Sequence, residues 1–179
     1  MLGRGDPAAA AGILEEAFAL TQQHGVRLFA PLTACQLGMA WLEQGRVEAA
    51  RDILASARQT AEAIGYKLIE LRASIYLALA LARSGDPQTA LNMLRQARNT
   101  ARQQGFDGLE AEALLGEAMV MPVTNADARA AAVQCLQASI AFAARNEVKP
   151  LLLKAETLLA GMLARAETPE CVQDRVHRI

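Results

Sequence analysis

The sequence predicts an all-α fold, a stack of antiparallel helix pairs in about four copies of a 40-residue unit. Three observations carry that reading. The 179-residue chain is 53% hydrophobic but only 4% aromatic. Alanine dominates its apolar residues, and alanine is the best helix former and small enough to let helices approach closely. Glycines mark a period: Gly5, Gly45 and Gly85 stand 40 residues apart, and Gly25, Gly65 and Gly105 form a second series with the same step. The blocks between these glycines also alternate in texture. Those after Gly25 and Gly65 are apolar nearly all round, whereas the one after Gly45 has a single apolar stripe. A helix apolar on every side is covered on most sides, and an amphipathic one lies at the surface, so enclosed and outer helices should alternate.

The elements follow in order. Residues 6–24 are expected as an outer helix with apolar positions at Ala10, Ile13, Leu14, Ala17 and Phe18, capped by Asp6 and started by Pro7. Gly25 stops it, since glycine takes the left-handed cap conformation without strain. Residues 27–44 form the first inner helix. Residues 46–64 form an outer one, with Val47, Ala50, Ile53, Leu54, Ala57, Ala61 and Ile64 opposite Glu48, Arg51, Arg58 and Glu62. Residues 67–84 contain the uncharged run ASIYLALALA, bracketed by Arg72 and Arg83. That run is too short for a membrane span, which needs about 20 residues. Its alternation could suit a strand, but a strand would break the helix alternation on both sides. Asp86-Pro87 restarts an outer helix over 86–104, and residues 107–121 form an inner one that Met121-Pro122 ends early. Residues 125–145 and 148–166 match as a fourth copy after a shift of one or two residues. The tail 167–179, ETPECVQDRVHRI, matches no repeat and is expected as a short cap helix or disorder.

Within this period Leu37, Gly38, Trp41, Gly45, Ala50, Leu54 and Ala57 occur in order, then Leu77, Ala78, Leu81, Gly85, Ala90, Leu94 and Ala97, with Gly5, Ala10, Leu14 and Ala17 as an opening half-copy. This pattern resembles the tetratricopeptide repeat family over roughly residues 5–166. The period exceeds the family's usual length of about 34 and approaches that of armadillo and HEAT arrays, but the pattern of small residues favours the tetratricopeptide reading. Longer units of this kind are similar to the sensor solenoids of large bacterial signalling proteins. The resemblance implies a right-handed α-solenoid and a protein–protein interaction scaffold, a segment or subunit of a bacterial signalling or regulatory system. Such a scaffold would bind a helical or extended peptide in its concave groove. A small-ligand sensor solenoid regulating a larger NTPase, cyclase or transcription regulator, and a structural self-assembly unit, are the alternatives.

Carried over residue by residue, the groove positions are Leu32, Cys35, Met39 and Leu42 on the first inner helix, Arg72, Ile75, Leu79 and Arg83 on the second, and Glu112, Leu115 and Met119 on the third. Lys154 and Thr157 follow on the fourth. This is an apolar floor with a few charges, without the dense basic cluster that would grip a carboxylate.

Other chemistry is not called for. A net charge of −1 exerts no pull toward nucleic acid or an acidic membrane. Three scattered cysteines, Cys35, Cys135 and Cys171, argue against a disulfide framework and fit a reducing, cytoplasmic compartment. Glu15 and Glu16 fall where a signal peptide would be apolar. No phosphate-binding glycine loop is present, and the two histidines, His24 and His177, have no partner at metal-ligand spacing. Glu15 and Glu16, like Glu110 and Glu112, point in different directions on a helix. Arg4-Gly5-Asp6 is explained as a repeat turn, because Gly-Asp-Pro recurs at 85–87. The expectation is therefore no enzyme, no cofactor and no metal. The chain opens on an outer helix whose inner partner would precede Gly5, which suggests a piece of a longer protein or a first helix paired by another subunit. Ile13 and Phe18 on that helix are expected to mediate self-association as a homodimer.

Overall fold

The computed structural model describes residues 7–166. Eight α-helices and no strand occur among the described residues: α1 Pro7–Gln23, α2 Ala30–Glu43, α3 Val47–Ala63, α4 Lys67–Arg83, α5 Pro87–Gln103, α6 Asp107–Val120, α7 Ala126–Arg145 and α8 Lys149–Ala166. Asp6, Cys171, His177 and the tail 167–179 lie outside the described residues.

The turns explain the glycine period. At the end of α2, the Gly45 amide donates to the Leu42 carbonyl (3.1 Å) and the Arg46 amide to the Trp41 carbonyl (2.9 Å). These bonds satisfy carbonyls that the helix end leaves open. They require a left-handed residue, and Gly45 has φ +77°. The α7–α8 turn uses the same closure, Val148 amide to Ala143 carbonyl at 2.9 Å, but Glu147 takes the left-handed place at φ +55°. Helix starts are set locally as well. The Asp86 carboxylate accepts from the Thr89 amide at 3.1 Å, and the Asn125 side chain accepts from the Ala128 amide at 2.8 Å. The first inner helix begins at Ala30 rather than 27, because Pro31 lacks an amide proton and fits only a first turn.

Each helix packs on its chain neighbours, and α2 also touches α4, α4 touches α6, and α6 touches α8. The even-numbered helices therefore form a continuous inner layer backed by the odd-numbered ones. Small residues sit at the closest approaches: Ala50, Ala73, Ala90 and Ala113 are fully buried. Gly38 is needed for the same reason, since a Cβ there would stand 2.5 Å from Leu54 Cγ. Leu54, Ile69, Leu94 and Leu136 fill the spaces between helices, each such burial being worth about 1.5–3 kcal/mol. Ser139, itself buried, donates to the Ala111 carbonyl (3.0 Å) and fixes α7 on α6.

The apolar stripe of the first helix is only partly covered: Leu14, Ala17 and Phe18 are half-buried and Ile13 is exposed. Ala10 is exposed as well, while Ala11 is buried. Ala50 and Leu54, one period on, are enclosed because α3 packs between α2 and α4, whereas α1 packs mainly on α2. Phe18 does not lie on the free face, because it packs against the first core cluster with Trp41 and Leu32. Glu15 anchors α1, accepting from Trp41 Nε1 at 2.8 Å and Arg46 Nη1 at 2.9 Å. The Arg46 guanidinium lies 4.4 Å from the Trp41 ring centroid, within cation–π range.

Candidate functional site: a groove between the inner helices

The four inner helices line an open cavity of about 910 Å³. Its floor is apolar. Met39, Leu79 and Met119 stand 40 residues apart in the chain and meet there, as do Ile75 and Leu115. The period stacks equivalent positions of α2, α4 and α6 on one face. The far wall comes from α8, through Leu151, Leu153, Leu158 and Met162.

Polar groups are few and grouped. Arg72 and Glu112, also 40 apart, pair between α4 and α6 with Arg72 Nη2 at 3.3 Å from Glu112 Oε1. Burial pushes the Glu112 carboxyl above its ordinary value, and the Arg72 charge opposes this. The other oxygen, Glu112 Oε2, is buried without a hydrogen-bond partner. The Tyr76 hydroxyl is the least of the groups that hold the carboxylate's charge. Burial raises the Tyr76 phenol as well. At the rim, Lys154 of α8 forms an ion pair with Glu43 of α2, joining the first and fourth inner helices across the opening. Arg83 donates to the Leu42 carbonyl at the end of α2.

Met39, Leu42, Ile75, Leu79, Arg83, Glu112, Leu115 and Met119 line this cavity, together with Lys154 and Thr157. Three other candidates do not. Leu32 packs against the first core cluster, and Arg72 pairs with Glu112 without lining the cavity itself. Cys35 is only 1% exposed, with its thiol pushed up to about 12 by burial. The sequence reading missed Tyr76 and Glu43. Tyr76 occupies the place of Gln36 and Gly116 in the neighbouring copies, so periodicity gave it no apolar signature. Ile13 is 69% exposed on α1.

A second recess of about 390 Å³ lies between α5, α6 and α7, lined by Arg95, Arg98, Glu117 and Cys135 among others. Glu117 is 2% exposed and meets Arg98 Nη1 at 3.0 Å and Arg95 Nε at 3.9 Å. Among the described residues no group of three His, Cys, Asp or Glu could hold a metal ion, and no helix is long and apolar enough to cross a membrane.

Helix pairs packed in series, with an inner layer of even-numbered helices, make an all-α solenoid. Residues 29–103, which run from the start of α2 to the end of α5, match the family profile described as tetratricopeptide repeat. No curated protein and no solved structure matches the chain significantly.

Proposed function

We propose that this chain is a protein-interaction scaffold that binds a helical or extended peptide in the groove between α2, α4, α6 and α8. The observation that carries this reading is the apolar floor built from equivalent positions of successive inner helices. Tetratricopeptide repeats generally mediate protein–protein contacts, and the matched segment supplies half of the groove. An apolar groove suits the anchor residues of an amphipathic segment, and Met39, Met119 and Met162 give it an adaptable surface. The test is selection from a displayed library of random peptides, repeated on a Leu79→Lys variant. Peptides enriched on the native chain and lost on the variant are expected; enrichment that survives Leu79→Lys would remove the groove from the account.

One observation favours a small-ligand sensor as the second reading. The cavity has the size of small-molecule sites, about 300–1,000 Å³, and the Lys154–Glu43 pair crosses its opening. A metabolite that raises the melting temperature of the native chain but not of Leu79→Lys, with no peptide enriched, would decide for that reading.

The 40-residue unit supports a place within a bacterial signalling assembly, and the free Cys35 and Cys135 support a reducing, cytoplasmic setting. Self-association would use the first hairpin, which exposes Ile13, Leu20, Leu28 and Phe29. Sedimentation at micromolar concentration should show a native dimer and an Ile13→Glu monomer; a native monomer would end the proposal.

A further inference from the structure

The smaller recess is built around a break in the repeat pattern. Glu117 is the third-copy counterpart of Leu37 and Leu77, each 40 residues from the next. Those two leucines belong to the core, and Glu117 keeps their burial at 2% exposure. A carboxylate in a leucine's place is costly unless cations pair with it. Arg98 of α5 does so, with Nη1 at 3.0 Å. A departure of this kind from an otherwise consistent pattern marks a functional or strained site.

The cations outnumber what Glu117 needs. Three arginines of α5 face two carboxylates of α6: Arg102 pairs with Glu110, and Arg98 takes Glu117. Arg95 is left over. It approaches Glu117 only through Nε at 3.9 Å, and its side chain is 49% exposed. No carboxylate stands three or four residues from it along α5. The recess therefore carries one surplus positive charge at its surface, where a solute can reach it. Leu114 and Met121 make part of the wall apolar, and none of the residues of this site lines the groove. The volume of about 390 Å³ lies within the range of small-molecule sites, about 300–1,000 Å³.

We propose that this recess is a second binding site, separate from the groove, which takes the carboxylate of a small acid with an apolar body. Arg95 grips the carboxylate, because a planar guanidinium fork matches two oxygens in one plane. Glu117 holds Arg98 in the back wall and keeps the surplus at a single charge. A monoanion fits that surplus, whereas a dianion such as phosphate would also meet the buried carboxylate. Leu114 and Met121 cover the apolar body. A free carboxylic acid and the C-terminal residue of a peptide share this chemistry.

The test is a methyl NMR titration of the methionine-labelled full chain with hexanoate, for a free acid, and N-acetylleucine, for a chain terminus. At least one should move the Met121 signal while Met39, Met119 and Met162 stay in place, and the one that binds more tightly identifies the source. Hexanamide, the uncharged counterpart of hexanoate, should bind at least about tenfold more weakly. Arg95→Gln should weaken binding of the acid by the same factor. Glu117 keeps its Arg98 partner in that variant, and circular dichroism checks its folding. Amide bound as well as acid, equal binding to the native chain and Arg95→Gln, or inorganic phosphate moving Met121 more strongly than either acid would overturn the inference. So would a Met121 signal that neither acid moves.

Discussion

Glu112 and Glu117 are carboxylates that the fold withdraws from water, and burial is the largest influence raising each. The arginines beside them oppose the rise. A carboxyl raised in the folded state binds its proton more readily there than in the unfolded chain. Its contribution to stability is fully present below the ordinary value of 4.5 and is lost as pH rises through the folded-state value. Urea midpoints should therefore fall as pH rises just above 4.5, and the Glu112→Gln/Glu117→Gln variant should flatten that slope. An unchanged slope would mean that neither carboxyl is held out of water. The cysteines give a second residue-scale expectation. Cys35, with its thiol near 12, should resist iodoacetamide in the native protein, whereas the half-buried Cys135 should react before it. Peptide mass mapping after brief exposure reads the order, and faster labelling of Cys35 would contradict its burial.

At the scale of helices, glycine plays two opposite parts, and a pair of variants separates them. Gly38 lies where α2 meets α3, with Leu54 and Ile53 against it. Gly38→Ala should destabilise by about 1–3 kcal/mol through overpacking, although alanine is the better helix former. Gly12 in α1 has nothing within 4 Å of an added Cβ, so Gly12→Ala should stabilise by about 1 kcal/mol. Thermal melts of the two variants moving the same way would refute the packing account. The same distinction explains what the sequence disclosed. The alternation of helices was legible because turn glycines and small contact residues recur with the period, and the period records which face each residue shares with its neighbours. On α1 the stripe itself was legible but not which half of it is covered: Phe18 packs inward on the first core cluster, while Ala10 and Ile13 stay exposed. The wall supplied by α8 was hard to read because the α6–α7 connection lengthens around Pro122, and the repeat loses step there.

For the whole molecule, the decisive feature is curvature, which no periodic pattern in the sequence states. Glu43 and Lys154 are 111 residues apart, and they meet only because four inner helices curl around one cavity. Exposed as both side chains are, the pair adds little stability; its meaning is geometric, bringing α2 and α8 to the same opening. The methionines report on this arrangement from within. Met39, Met119 and Met162 line the groove, while Met93 of α5 packs against the core and Met121 lines the smaller recess. The most direct test of the groove as the binding surface is a methyl NMR titration of methionine-labelled protein with the best selected peptide. The account predicts that the Met39, Met119 and Met162 methyl signals shift together while Met93 and Met121 stay in place; movement of Met93 or Met121 with the groove signals unchanged would contradict it.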